Sequence, residues 1–263
     1  MIPRKGSHCS IQGNLYEKCI YNIVRHCKIN NQHIFNTQHK SHLGGCNSKH
    51  DILCNYKKNM DIPIEIKKSI TPDWMQCSFI YDKKSDTWIG KKNNKIPEKS
   101  KRIFEELMKD KLIFDGHIPP FFERDITHVE WKKIKKRTDN FKDQYFDCPD
   151  DTILRLYAEK GCKYIQISER GLFHLGDDIC NFNVPIFLCK QEIRIRTKIH
   201  KSNDLRGFCK LSVIVSCKPK HKRIIPHSHY SLDAVSKLPL NLTYYKTPLI
   251  KSTMKSTIKN KDT

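Results

Sequence analysis

Apolar residues recur along the chain with two periods, and the two are distributed unevenly. From Leu15 to Cys27, the residues Leu15, Cys19, Ile20, Ile23, Val24 and Cys27 share one helical face behind a polar cap at Ser10 to Asn14. This spacing predicts an amphipathic first helix. It returns at Glu98 to Lys111 through Ile103, Phe104, Leu107 and Met108, and again at Thr152 to Lys160, which Gly161 ends. Shorter runs predict strands: Ile52 to Cys54, Ile62 to Ile66, 164–167, 171–175, 184–188, 192–199 and 211–217. Residues 75–81 fit strand or helix, and Ile34 and Phe35 suggest a short edge strand in an otherwise polar stretch. A composition shift near Cys148 to Asp151 separates a mixed α/β region, residues 1–145, from a β-rich extension, 146–245. The tail, 246–263, is rich in Lys, Ser and Thr and is predicted to be disordered.

Charge narrows the partners. Against 28 acidic residues stand 49 Lys and Arg, a net charge of +21. A surplus of this size suits a polyanion, because each neutralised phosphate releases a condensed counterion. Lysine also accumulates in chains from AT-rich genomes, and a solvated basic surface is the plain alternative. Two segments concentrate the charge. Lys132, Lys133, Lys135, Lys136 and Arg137 surround Val129, Trp131 and Ile134, as on a helix held by its apolar side with lysines facing phosphates. Arg194, Arg196 and Lys198 alternate along a predicted strand, with Ile193, Ile195 and Ile199 on its other face. Both are candidate contacts to double-stranded DNA.

The 12 cysteines include no Cys-x-x-Cys pair and follow no secretory signal, which points to reduced thiols and an intracellular setting, cytoplasmic or nuclear. Cys19, Cys27, Cys54, Cys77, Cys162 and Cys209 read as core residues. No apolar run is long enough to cross a membrane. The densest histidine group, His33, His39, His42 and His50, lacks the paired spacing of a zinc site. Tyr16, Tyr21 and Trp74 could stack on bases, but each sits in an apolar pattern that suits a core.

The stretch from His50 to Lys68, HDILCNYKKNMDIPIEIKK, carries the most specific chemistry. Side chains alternate along a strand, so Glu65 and Lys67 project together while Ile64 and Ile66 enter the opposite face. If Asp51 lies on the partner strand of a hairpin, two carboxylates and an ammonium converge. Such a group can hold a hard divalent cation and a water beside a phosphate.

Asp51, Glu65-Ile66-Lys67 and an acidic residue on the preceding helix, Glu17, together resemble the PD-(D/E)XK nuclease superfamily, which contains many type II restriction enzymes. The likeness spans roughly residues 10–81, with His50 where a proline is usual. It implies an αβββαβ core with a restriction-endonuclease-like mixed sheet flanked by helices, and Mg²⁺-dependent hydrolysis of DNA phosphodiesters, with Mn²⁺ as a substitute. By the same resemblance Asp51 and Glu65 would be metal ligands. Lys67 would orient or help deprotonate the attacking water, and Glu17 would match an acid that many members add. Gln76 resembles a polar position used by some members near the scissile phosphate. The resulting expectation is a restriction-type endonuclease, with a homodimer as one possible assembly. A structure-specific repair or recombination nuclease, or a non-catalytic basic DNA-binding protein on a nuclease scaffold, are the alternatives.

Overall fold

The computed structural model describes residues 5–34, 50–56, 60–71, 73–82, 84–91, 96–109, 126–137, 139, 142–201 and 208–245. It is a mixed α/β structure. Helix α1 (Lys5–Val24) leads into two short strands, β1 (Cys27–Ile29) and β2 (Gln32–His33). A hairpin follows, β3 (Ile52–Tyr56) and β4 (Met60–Lys67), then a second, β5 (Met75–Asp82) and β6 (Thr87–Gly90). Helix α2 (Glu98–Lys109), strand β7 (Ile126–Thr127), helix α3 (His128–Arg137), strand β8 (Gln144–Cys148) and helix α4 (Thr152–Glu159) come next. The remaining strands are β9 (Tyr164–Ile167), β10 (Gly171–His174), β11 (Gln191–Lys201), β12 (Phe208–Pro219) and β13 (Leu242–Tyr244).

The candidate site lies on a four-stranded mixed sheet ordered β10-β9-β4-β3. In it β4 runs antiparallel to β3 and parallel to β9. A parallel pair needs a long crossover, and its last element is α4. Pro63 is tolerated in the centrally placed β4 for a local reason. Its carbonyl takes the Lys163 amide, so its imino nitrogen faces the same side, ahead of the first β9 residue paired with β4, Tyr164. No ladder donor is lost there.

The sheet separates two cores. Ile62, Ile64, Ile66 and Tyr164 meet Ile20 and Val24 of α1, together with Ile29, Phe182 and Leu242, on one face. On the other, Ile165 and Ile167 join Ile153, Leu156 and Tyr157 of α4, Ile103 and Phe104 of α2, and the inner face of a second sheet. That sheet is antiparallel, ordered β6-β5-β12-β11-β8, with β7 also pairing β12. Its spine is the β11–β12 pair, in register from Gln191↔Pro219 to Lys201↔Cys209.

Several elements differ from their expected form. The first helix begins at Lys5, ten residues before Leu15, and ends before Cys27, which becomes the first residue of β1. Residues 184–188 make only an isolated bridge, His174 to Ile186, and 75–81 is strand. Cys27, Cys54, Cys77 and Cys162 are buried as expected, but Cys19 is exposed; the side chain of Cys209 lies outside the described residues. Both large sheets draw strands from either side of residue 145: β4 pairs with β9, and β5 with β12. The boundary expected there therefore runs through two hydrogen-bonded sheets. Phe35, His39, His42 and the tail 246–263 lie outside the described residues. Among the described residues no helix is long and apolar enough to cross a membrane.

Candidate active site

The hairpin register sets the geometry. Leu53 pairs with Pro63 and Ile52 with Ile64, so one further step brings Asp51 opposite Glu65, on the same face. The β3 ladder has stopped at that point, and Oδ2 of Asp51 takes its place by accepting the Ile66 amide at 2.8 Å. Lys67, two residues beyond Glu65, shares this face. Its Nζ lies 2.5 Å from Oε1 of Glu65 and 3.7 Å from Oδ2 of Asp51. Asp51, Glu65 and Lys67 thus form one cluster. Glu17 sits half-buried on α1, near enough that its charge acts on Asp51.

A fourth charged group is one that reading the sequence missed. Lys160 caps the C-terminus of α4 and places Nζ 2.7 Å from the other Glu65 oxygen, Oε2. The helix closes with a double backbone turn: the Gly161 amide donates to the Ala158 carbonyl at 2.8 Å and the Cys162 amide to that of Tyr157 at 3.0 Å. Gly161 makes this possible with φ of +92°, a conformation that costs glycine little. The turn also directs the Cys162 thiol at Oε2 of Glu65, 3.7 Å away. Tyr157 lies beneath both ammonium groups, its ring centre 5.5 Å from Lys67 Nζ and 5.6 Å from Lys160 Nζ. Its hydroxyl is fixed by donating to the Trp74 carbonyl at 2.6 Å. In the sequence, only the helix end at Gly161 hinted at Lys160. The pairing of β9 with β4, which brings that helix end to Glu65, left no local signal.

Burial sharpens the electrostatics. Glu65 is 2% exposed, and burial alone would raise its pKa, but Lys67 and Lys160 outweigh this and hold it below the ordinary carboxylate value. Asp51 is pushed the other way, up to about 6, first by burial and then by the negative charges of Glu65 and Glu17. Lys67 loses solvation too, yet Glu65, Tyr157 and Asp51 raise it well above the usual lysine value. It is therefore an ammonium at neutral pH, able to neutralise and orient but not to take up a proton.

Asp51 and Glu65 supply two carboxylates, but both Glu65 oxygens are bonded by ammonium groups, so a hard cation here would have to share Glu65 with Lys67 or Lys160. Two carboxylates are held together at their mutual electrostatic cost, and Oδ1 of Asp51 has no hydrogen-bond donor among the described residues. Among the described residues, no group of three or more His, Cys, Asp or Glu side chains stands ready to hold a metal. An ion here would keep most of its shell as water and substrate oxygen, as Mg²⁺ commonly does.

The expected DNA contacts divide into two kinds. Lys132, Lys133, Lys135, Lys136 and Arg137 are all exposed on α3, which Trp131 anchors, although Val129 is 62% exposed and anchors nothing. The arginines of β11 lie on the face away from the core and are engaged by neighbouring acids. Arg194 bonds Asp143 at 2.5 Å and Asp73 at 3.3 Å, and Arg196 reaches Asp73 at 3.1 Å. Asp73 is buried and also accepts the Ser216 hydroxyl at 2.6 Å. These two arginines neutralise an internal acid before they can serve a phosphate. The Lys198 side chain lies outside the described residues. Gln76 is on β5 of the second sheet, where its Oε1 accepts from Arg196 at 3.0 Å. Trp74 is core, and the Tyr16 hydroxyl is engaged by Gln166 and Asp233. His33 is exposed on β2.

No family model, curated protein or solved structure matches this chain.

Proposed function

We propose that the chain is a Mg²⁺-dependent endonuclease of the PD-(D/E)XK kind, hydrolysing phosphodiester bonds of double-stranded DNA in the manner of a restriction enzyme. One observation carries the reading: Asp51, just ahead of β3, and Glu65 and Lys67 of β4 form a single buried cluster, with Lys67 Nζ within 3.7 Å of both acids. Alternation alone puts Glu65 and Lys67 on one face; the added support is Asp51, which the hairpin register and the Ile66 amide bring to the same point.

The arrangement of the sheet lends support. Taken in chain order with other elements between them, helix α1, strands β3 and β4, helix α4 and strand β9 run helix, strand, strand, helix, strand, and β9 lies parallel beside β4. α1 and α4 contribute to cores on opposite faces. This agrees with a mixed sheet flanked by helices. It departs from a contiguous core, since β5 belongs to the second sheet and β9 lies about a hundred residues after β4.

In this reading Asp51 and Glu65 hold the ion. When bound, Mg²⁺ would acidify its water and offset the charge developing on the phosphorus oxygens. Lys67, kept as an ammonium, orients the attacking water and neutralises the reacting phosphate. The exposed lysines of α3 hold duplex DNA through its backbone. The test is incubation of the purified protein with supercoiled plasmid and Mg²⁺ beside a Glu65→Ala control. Discrete linear fragments that need Glu65 support a restriction-type enzyme; Glu65-dependent nicking or a smear favours a less specific nuclease. Salt-sensitive DNA binding without cleavage under Mg²⁺ or Mn²⁺ sinks the enzymatic reading and leaves a basic DNA-binding protein.

A further inference from the structure

The carboxyl ends of β4 and β9 carry a second concentration of charge, one residue beyond the cluster. The Lys67 carbonyl accepts the Ser168 amide at 2.9 Å, and the Ser168 hydroxyl accepts the Ser69 amide at 2.9 Å, so the two chains stay paired past the last ladder residues. Lys68 and the pair Glu169-Arg170 are thereby brought together at one edge of the sheet. The Lys68 ammonium leans on α1, donating to Gln12 at 3.5 Å. Arg170 is held against residues 222–228. Its guanidinium donates to the Lys222 carbonyl at 3.0 Å and meets Nε2 of His227, and its own carbonyl accepts the Ser228 amide at 2.8 Å. Gly171, with φ of +101°, lets this segment approach so closely: an added Cβ would stand 2.5 Å from the Tyr230 carbonyl oxygen. Lys222 completes the group with a bond of 2.5 Å to Glu169.

Three cations thus surround one acid. The hydrogen bond from Lys222, and then the charges of Lys222, Arg170 and Lys68, hold Glu169 below the ordinary carboxylate value. The guanidinium bonds of Arg170 go to a carbonyl and a ring nitrogen, and Lys68 bonds an amide, so none of these contacts cancels a charge. The group keeps a positive surplus, to which Arg223, exposed beside Lys222, adds. We infer that Lys68, Arg170 and Lys222 form a contact for the phosphodiester backbone of DNA, at the sheet edge next to the candidate active site. Two features favour this occupant. Cations fixed at the ends of neighbouring strands, about 4.8 Å apart, make a row that suits a row of phosphates. The row also begins directly after Lys67, whose ammonium belongs to the cluster. Lys67 lies on the α4 side of the sheet and Lys68 on the α1 side, so a backbone that meets both crosses the carboxyl ends of β4 and β9. That the bound phosphates flank a scissile one rests on the nuclease reading, whereas the contact itself does not. It adds to the lysines of α3 and supplies what Arg194 and Arg196, already paired with acids, do not.

The single acid gives a test in which two variants move in opposite directions. Binding of a labelled duplex oligonucleotide to the full chain is followed by fluorescence anisotropy over a series of salt concentrations, in EDTA so that no cleavage enters. The double variant Lys68→Gln, Lys222→Gln should bind about tenfold more weakly at about 0.1 M salt. The slope of its log affinity against log salt should flatten by about 1.8, two phosphates at about 0.9 each. Glu169→Gln removes the acid and leaves the cations, so it should bind several-fold more tightly than the wild type. Both variants keep the backbone contacts of Arg170, and the Glu169 variant provides the reading should the lysine pair not fold. A slope unchanged in the lysine variant, or an affinity unchanged or weakened in Glu169→Gln, overturns the inference. So does competition by polyglutamate as effective as that by unlabelled duplex of equal charge, which would mark the edge as a site for an acidic protein. Duplex binding that depends on Lys68 and Lys222, with no plasmid cleavage under Mg²⁺ or Mn²⁺, would uphold the inference while rejecting the nuclease reading. Cleavage by a protein whose duplex binding is indifferent to these residues would do the reverse.

Discussion

The carboxylate of Asp51 is held by the backbone amide of Ile66 at 2.8 Å, so the acid is fixed to the same strand that carries Glu65 and Lys67. The side chain of Ile66 enters the core on the α1 side of the sheet. Register, hydrogen bond and apolar burial therefore agree on one position for Asp51, and the acid keeps that position at an electrostatic cost.

The cost predicts a trade between stability and chemistry. Asp51 has its pKa raised from 3.8 to about 6, so between these values the folded chain binds a proton more readily than the unfolded one. Its contribution to stability is full below about pH 4 and is lost as pH rises through about 6, leaving a penalty of about 3 kcal/mol at neutral pH. Asp51→Asn keeps an acceptor for Ile66 and removes the charge. Urea unfolding in EDTA should show the variant more stable than the wild type by up to about 3 kcal/mol at pH 7.5 and equal to it near pH 4. It should cut no DNA. Parallel stability profiles for the two proteins would show that Asp51 carries no such strain.

Cleavage should follow the same ionisation. Only the carboxylate form of Asp51 can hold a cation, so the single-turnover rate at low fixed Mg²⁺ should rise about tenfold per pH unit below about 6 and level off above it. Raising Mg²⁺ should move the break to lower pH, because the ion competes with the proton. A rate that does not bend near pH 6 and does not shift with Mg²⁺ removes Asp51 from the ligand set.

Gly161 can be tested without touching a charge. Among the described residues nothing lies within 4 Å of where a Cβ would stand, so Gly161→Ala acts through its φ of +92°. It should cost about 1–2 kcal/mol in thermal or urea unfolding. By loosening the turn that aims Lys160, it should also reduce cleavage several-fold. Gly13, mid-helix with open space and ordinary backbone angles, provides the contrast: Gly13→Ala should stabilise slightly.

The two basic regions should respond in opposite ways. Replacing Lys132, Lys133, Lys135 and Lys136 by Gln should leave the melting temperature nearly unchanged. DNA affinity should fall, and the slope of its logarithm against that of salt concentration should flatten by about 0.9 for each phosphate no longer neutralised. Asp73→Ala should cost about 1–3 kcal/mol of stability, because it removes the buried acceptor shared by Arg194, Arg196 and the Ser216 hydroxyl, while Arg194 keeps Asp143 and Arg196 keeps Gln76. A salt dependence untouched by the α3 changes would place the DNA elsewhere.

Much of the local structure could be read along the chain. The helical spacing of Ile103, Phe104 and Met108 specified α2, and the alternation of Ile62, Ile64 and Ile66 with Glu65 and Lys67 specified which face of β4 carries charge. Whether Asp51 meets Glu65 depended on the hairpin register, which alternation limits to one face and the observed Ile52–Ile64 pairing fixes. What lies farther apart in sequence was not legible. The parallel pairing of β4 with β9 brings Lys160 to Glu65 across 95 residues, and the packing of β11 against Asp73 turns an apparent arginine row into an internal ion network. Sequence by itself settled what periodicity dictates, such as helices α2 and α4 and the charged face of β4, and it made the Asp51, Glu65 and Lys67 cluster depend on a hairpin that only the structure supplies. Only the tertiary structure decided which cations share the acids, because that depends on which strands become neighbours, a choice made by the burial of whole sheet faces and written at no single position.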